Sequence, residues 1–300
     1  MAETKTAFIA IVGCPNAGKS TILNRLIGEK IAIVSPKPQT TRTRIMGVLT
    51  RDETQLVFTD TPGYHRPMNL LGENMKKAVE FSIGDVDDCL LVVEATGRVR
   101  TEEKQLIERF QKEKIPAILA INKIDLVPDK TALLERIAAY TALYDFRAVI
   151  PVSAKTGDGM KELLDELMAA AQPSMHFFPD DTLTDQPEKV IAAELIREKL
   201  LMHLDQEIPH GTAVEIEFFR EREDADIVDI EATIYCEKAS HKGIIIGKNG
   251  EMLKRISTGA RRDLERFLGC RVNLHCWVKV KEDWRNRGGL IRNFGLDVKK

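Results

Sequence analysis

The sequence predicts an α/β domain with a mostly parallel sheet, followed by a smaller C-terminal α+β domain. Three observations predict it. Through the first half, short apolar runs alternate with amphipathic stretches, an order that lays parallel strands between layers of helix. A Pro-bearing stretch without apolar periodicity then interrupts the alternation around 173–187, as a linker does. Beyond it the order becomes helix, two strands, two helices and a strand.

In the first half, 8–12, 56–59, 89–94, 117–121 and 148–152 read as buried strands, and 19–27, 101–114, 131–144 and 159–171 as helices. In the second, helix 189–203, strands 213–219 and 227–236, a glycine-containing helical pair over 240–268 and strand 271–280 make a separate unit. The expected division is a first domain over 1–173, a linker over 174–187, a second domain over 188–282 and a basic tail over 283–300.

A chain of 300 residues, 43% hydrophobic and 30% charged, is long enough for two cores. Its net charge of −2 averages over a strong asymmetry. Residues 180–231 hold 16 acidic and 5 basic side chains, whereas 240–300 hold 15 Lys or Arg against 6 Asp or Glu. A basic block of this kind suits a polyanion partner or a solvated face. The five cysteines are scattered and form no C-x-x-C pair, which argues against a disulfide framework or zinc site and fits a reducing cytoplasm. The N-terminal residues lack the pattern of a secretory signal. No apolar run approaches the roughly 20 residues that cross a bilayer, so membrane contact is expected to be peripheral at most.

Gly13-Cys14-Pro15-Asn16-Ala17-Gly18-Lys19-Ser20 follows a strand and opens a helix, the setting of a phosphate-binding loop. Its amides would point at phosphate oxygens at the positive end of the helix dipole. Lys19 would neutralise the β- and γ-phosphates, Ser20 would ligate Mg²⁺, and Thr21 stands within reach of the α-phosphate. Asp60-Thr61-Pro62-Gly63 follows a second strand, where the carboxylate can hold Mg²⁺ through water and the Gly63 amide can sense the γ-phosphate. Between them lies Pro38-Gln39-Thr40-Thr41-Arg42, in which Thr41 is the preferred Mg²⁺ ligand and Thr40 the alternative. Release of this segment on hydrolysis would make a switch.

Asn122-Lys123-Ile124-Asp125 and Ser153-Ala154-Lys155 each follow a strand and so fall at the same sheet edge. Asp125 can accept from guanine N1–H and the 2-amino group together. Adenine has an acceptor at N1 and no 2-amino group, a mismatch on the order of several kcal/mol. Lys123 would pack along the base and the Ala154 amide would donate to guanine O6. GTP, rather than ATP, is the expected ligand.

These motifs resemble those of the translation-factor class of P-loop GTPases. Asn16, Gln39-Thr40-Thr41-Arg42 and Asp60-Thr61-Pro62-Gly63-Tyr64-His65, together with a small C-terminal unit, resemble the Era family over essentially the whole chain. Where Ras-type GTPases place a water-orienting glutamine, this chain has Tyr64, so slow intrinsic hydrolysis is expected, with Lys19 and Thr41 as the catalytic residues. Tyr64 itself reads as a packing residue. Asn16 has two readings, a K⁺ ligand beside the phosphates or a residue suited to a tight turn.

Ile244-Ile245-Ile246-Gly247-Lys248-Asn249-Gly250 joins the helical pair and resembles the loop of a type II KH domain. Such a loop lets amides approach about four nucleotides of single-stranded RNA beside an apolar groove. Ile245, Ile246, Gly247, Lys248, Asn249 and Gly250 are its expected contacts, with Lys254, Arg255, Arg261 and Arg262 as a phosphate-attracting surface. Trp284, interleaved with basic residues, is either a base-stacking residue or a cap on the domain, and Trp277 alternates as a core residue would. The Era resemblance implies the 3′ region of small-subunit ribosomal RNA as partner, a role in maturation of the small ribosomal subunit, GTP and GDP as ligands, and weak association with the inner membrane. DNA is not an expected partner.

Overall fold

The computed structural model describes residues 3–84 and 86–297. The end of the basic tail, Val298 to Lys300, lies outside the described residues. Within them the chain forms two compact units, one comprising 3–32, 41–66, 75–84 and 86–185, the other 33–40, 67–74 and 186–297.

In chain order the first elements are β1 (Lys5–Val12), α1 (Lys19–Ile27), β2 (Ile45–Arg51), β3 (Thr54–Asp60) and α2 (Leu70–Ile83). After them come β4 (Asp88–Glu94), α3 (Thr101–Glu113), β5 (Ala117–Asn122), α4 (Lys130–Thr141), β6 (Ala148–Val152), α5 (Met160–Ala169) and β7 (Gln172–Pro173). The sheet runs β2-β3-β1-β4-β5-β6, with β7 beside β1. The pairs β3·β1, β1·β4, β4·β5 and β5·β6 are parallel, while β2 and β7 pair antiparallel.

Alternation along the strands builds two cores. Ile9, Ile11, Leu90, Val92, Ile118 and Ala120 point to the face covered by α1 and α5, with Leu23, Leu163 and Leu167. Their neighbours Ala10, Val12, Leu91, Val93, Leu119 and Ile121 point to the other face, where they meet Leu106, Phe110 and Tyr140 of α3 and α4. A strand buried on both faces reads as a continuous apolar run, which is why these segments are legible in the sequence.

From β1 to β7 three elements, β2, α2 and the short β7, are absent from the sequence-based expectations. Gly47 interrupts the side-chain pattern of β2. It stands where α1 packs, and a Cβ there would lie 2.8 Å from Ile31 Cδ1 and 2.9 Å from Leu23 Cδ1. In α2, buried Leu71, Met75, Ala78, Val79 and Ile83 do carry a helical period.

The stretch after β7 is tied to the outer strands by polar contacts. The Phe177 and Phe178 amides donate to Gln55 Oε1 at 2.8 and 3.0 Å, and Thr184 Oγ1 donates to the Met46 carbonyl at 2.6 Å. Phe177 also packs edge-on against Phe8, with centroids 5.0 Å apart. Bonds of this kind leave no apolar periodicity to read.

The second unit contains α6 (Glu188–His203), β8 (Ala213–Glu221), β9 (Ile227–Cys236), α7 (Ala239–Ile246), α8 (Glu251–Leu268), β10 (Arg271–Val280) and α9 (Gly288–Asn293). Its sheet runs β10-β9-β8, parallel between β10 and β9 and antiparallel between β9 and β8. Ile196 and Leu200 of α6, Ile256 and Ala260 of α8, Ile245 of α7 and Ile234 and Val278 of the sheet share one core.

Of the two readings of Trp284 the fold takes the cap, whereas Trp277, expected in the core, is exposed. Trp284 is fully buried, its indole N–H donating to the Gly211 carbonyl at 2.9 Å and its ring meeting Phe294 edge-on at 5.4 Å. It caps the domain and has no face to offer a base. Trp277 is 45% exposed and lies nearly parallel to His275, because it alternates out of phase with buried Val278 on β10. Among the described residues no helix is long and apolar enough to cross a membrane.

Candidate functional site

β1 delivers the chain into the loop 13–20, and α1 carries it away. Gly18 has φ +100°, and a Cβ there would sit 2.1 Å from Asn122 Nδ2, so both conformation and space require glycine. Lys19 is buried and donates to the carbonyls of Gly13 and Cys14, at 3.1 Å each. Burial lowers its pKa, with Asp60 opposing that shift. An ammonium held by two neutral carbonyls is placed for an anionic phosphate oxygen, which makes the stronger bond.

Three oxygens converge beside it. Ser20 Oγ donates to Asp60 Oδ2 at 2.6 Å and lies 2.9 Å from Thr41 Oγ1, which is itself 3.4 Å from Asp60 Oδ2. Asp60 is fully buried, and its Oδ1 is a buried acceptor without a hydrogen-bond partner. Burial pushes its carboxyl up to about 6, against the pull of Lys19 and the Ser20 and Thr41 hydroxyls. Two hydroxyls and an under-partnered carboxylate form a hard oxygen set that fits Mg²⁺. The Thr40 hydroxyl instead donates to the Lys37 carbonyl at 2.7 Å, so the convergent threonine is Thr41.

The turn after β3 lies against the phosphate loop. Thr61 Oγ1 donates to the Ile11 carbonyl at 2.8 Å and the Tyr64 amide to the Gly13 carbonyl at 3.0 Å, with Pro62 buried between them in sequence. A Cβ on Gly63 would lie 2.6 Å from Pro15 Cα. The Tyr64 ring is buried among Val79, Ile83 and Leu91, with the Lys76 ammonium 5.8 Å from its centroid. Asn16 is exposed, with φ 64°, a left-handed conformation that asparagine tolerates.

The remaining motifs meet at the ends of β5 and β6. Asn122 Nδ2 donates to the Ala17 carbonyl at 2.8 Å, and its Oδ1 accepts from the Ala154 amide at 3.0 Å. Ser153 Oγ donates to Asp125 Oδ1 at 2.6 Å. Lys123 pairs with Glu94 at 2.5 Å, while Lys155 is exposed. Glu94 is a residue that motif reading misses. Its signal is positional, since it ends β4 at the same sheet edge, and it holds Arg100 as well at 3.1 Å.

Residues 8–123 match the family described as 50S ribosome-binding GTPase, and residues 207–285 match the KH domain. The chain is 49% identical to GTPase Era of Ruminiclostridium cellulolyticum over 296 residues, 99% of each protein. It is also 49% identical to GTPase Era of Clostridioides difficile over 295 residues, 98% of this chain and 99% of that one. The chain belongs to the Era family of GTPases.

A crystal structure of Era in complex with MgGDPNP and nucleotides 1506–1542 of 16S ribosomal RNA is 36% identical, with a TM-score of 0.95, covering 98% of this chain and 100% of that one. A single-site variant of Aquifex aeolicus Era bound to GDP·AlF4⁻ gives the same identity, coverage and TM-score. As an Era-family protein, the chain combines a P-loop GTPase domain with a C-terminal KH domain.

In this Era-family chain, α7 stops at Gly247, whose φ is +73° and whose Cβ, if present, would lie 2.7 Å from Met252 Cβ. Lys248 and Asn249 are exposed, and Gly250 opens α8 with φ 79°. Ile245 departs from its expected role. It is fully buried in the core with Ile256 and Ala260, out of reach of a ligand, whereas Ile246 is half-buried and Ile244 is 50% exposed. Helical spacing sends Ile245 inward and its neighbours toward the surface. Lys254, Arg255, Arg261 and Arg262 are all exposed, on the side of α8 away from buried Ile256, Ala260 and Leu264.

Proposed function

We propose that this Era-family GTPase is a switch that binds single-stranded RNA from the 3′ region of small-subunit ribosomal RNA and assists maturation of the small ribosomal subunit. The observation that carries the reading is the similarity, across both domains, to an Era structure holding MgGDPNP and 16S ribosomal RNA nucleotides. In the proposed division the GTPase domain spans 1–173, the linker 174–187, the KH domain 188–282 and the tail 283–300.

In the proposed mechanism the backbone N–H groups of the 13–20 loop, Pro15 excepted, and the Lys19 ammonium receive the β- and γ-phosphates, and Asp125, Lys123 and the Ala154 amide receive the guanine. Ser20, Thr41 and Asp60 would hold Mg²⁺, which when bound supplies positive charge to the phosphate oxygens as water displaces GDP from the γ-phosphorus. Lys19 acts on the same developing charge. Tyr64, buried by packing, has no side-chain amide to orient the water, in keeping with slow intrinsic turnover. Loss of the γ-phosphate frees Thr41 and the residues before it, and RNA affinity changes with them.

Multiple-turnover phosphate release is the test. It should require Mg²⁺ and disappear in Lys19→Ala, while crosslinking should recover small-subunit ribosomal RNA. Recovery of no RNA above background from either the GTP or the GDP form would remove the KH assignment. Potassium enters through Asn16. Since turn geometry alone also accounts for asparagine there, equal turnover in K⁺ and Na⁺ would remove it. A cytoplasmic location with weak peripheral contact to the inner membrane completes the proposal and is tested by fractionation after a salt wash.

A further inference from the structure

Arg197, Glu198 and Lys199 are consecutive on α6, and all three are buried, at 2%, 1% and 9% exposure. Consecutive helical residues point about 100° apart, so no single polar face accommodates them. Each buried charge needs its own partner.

Those partners lie on two different parts of the second unit. Arg197 donates to the carbonyls of Gln39, at 3.4 Å, and Thr40, and is braced by Glu194 at 2.5 and 2.7 Å. Glu198 Oε1 accepts from the Val34 amide at 2.9 Å, and its Oε2 accepts from Lys199 Nζ at 3.0 Å. Lys199 Nζ also reaches Asp263 Oδ2 on α8 at 2.5 Å. A continuous charged chain therefore runs from Val34 through Glu198 and Lys199 to Asp263. Asp263 directly follows Arg261 and Arg262, on the helix that opens at Gly250. At the other end Thr40 is one peptide bond from Thr41.

We propose that Arg197, Glu198 and Lys199 form a relay that couples the RNA-binding helix to the nucleotide site, holding Ile33–Thr40 so that Thr41 is presented to the metal. This rests on the roles of Thr41 and the KH domain given under Proposed function. Arg197 and Glu198 are positioning residues. If Asp263 shifts when RNA engages α8, Lys199 and Glu198 carry the shift to the Val34 amide. Coupling of this kind is reciprocal, so GTP must favour RNA by the same factor as RNA favours GTP.

The experiment uses the full chain and a single-stranded RNA oligonucleotide with the 3′-terminal small-subunit sequence. Its Kd is measured with a non-hydrolysable GTP analogue and with GDP, for the parent and for Arg197→Ala, Glu198→Ala and Asp263→Asn. The parent should show a ratio of about fivefold or more between the two states. Each variant should bring that ratio towards one and raise the Mg²⁺ concentration for half-maximal turnover, with GDP affinity unchanged.

Glu198→Gln keeps a carbonyl for the Val34 amide, so it should retain part of the ratio and decides the matter if Glu198→Ala fails to fold. Variants that keep the parent ratio, or that weaken RNA binding equally in both states, overturn the relay. A parent that binds RNA equally in both states overturns the switch reading and the relay with it.

Discussion

Asn122 donates to the Ala17 carbonyl at 2.8 Å, tying the end of β5 to the phosphate loop. The same side chain accepts from the Ala154 amide, so one buried amide group holds the Gly13–Ser20 loop and the turn after β6 together. Asn122→Ala leaves a buried carbonyl and a buried amide without this partner. The expected loss is about 2–6 kcal/mol of stability, at roughly 1–3 kcal/mol for each of the two orphaned groups. Denaturant unfolding checks the loss, and GDP titration should show weaker binding.

Asp125 provides the test of base choice. Its carboxylate is steered by Ser153 Oγ at 2.6 Å. In Asp125→Asn the side chain can donate, which suits the C2 carbonyl of xanthine and not the 2-amino group of guanine. Affinity for GDP should fall by about 10² or more while affinity for xanthosine diphosphate rises. Calorimetry with both nucleotides measures it, and an unchanged preference for GDP would place guanine recognition elsewhere.

Asp88 gives the fold a pH dependence. Its side chain is 1% exposed with the Arg147 guanidinium 3.1 Å away, and burial pushes its carboxyl up to about 6 in spite of that partner. A group whose folded value lies above its unfolded value near 3.9 binds its proton more tightly in the native state. Its contribution is therefore most favourable below about pH 4 and is lost as pH rises towards 6, by at most about 3 kcal/mol. Asp88→Asn should gain stability relative to the parent at pH 7 and lose that advantage at pH 4. Unfolding midpoints at the two pH values would contradict this if the difference between the proteins stayed constant.

The two tryptophans can be told apart by fluorescence. Acrylamide should quench the exposed Trp277 strongly and the buried Trp284 weakly, which variants carrying one tryptophan each resolve. Trp284→Ala should cost about 3–5 kcal/mol, as large-to-small changes in a core do. Trp277→Ala should cost well under 1 kcal/mol.

Much of the nucleotide site is legible because its chemistry is local. Gly18, Lys19 and Ser20 act from one turn at the end of β1, and each base-recognition motif ends its own strand, so spacing along the chain is enough to place them. Ile245 and Trp284 are different. Whether an isoleucine in an apolar helix end faces a groove or the core depends on what packs against that helix, and a tryptophan among basic residues looks the same whether it stacks on a base or caps a domain. Gly47 conceals β2 for a related reason, because its small size answers to Leu23 and Ile31, which pack onto that face of the sheet from α1 and the residues after it.

The Gly13–Ser20 loop between a strand and a helix, the strand-end positions of Asp60-Thr61-Pro62-Gly63, Asn122-Lys123-Ile124-Asp125 and Ser153-Ala154-Lys155, and the αββααβ order of the C-terminal unit are determined by the sequence alone, since each is a short-range pattern. Tertiary structure decided which of two adjacent threonines meets Ser20 and Asp60, and that the charged run of α6 is buried. Those outcomes depend on groups far apart in the chain, the Asp60 carboxylate for Thr41, and the Val34 amide, the Thr40 carbonyl and the Asp263 carboxylate for the α6 triplet. A buried charge or hydroxyl is satisfied only by whatever partner the fold brings to it.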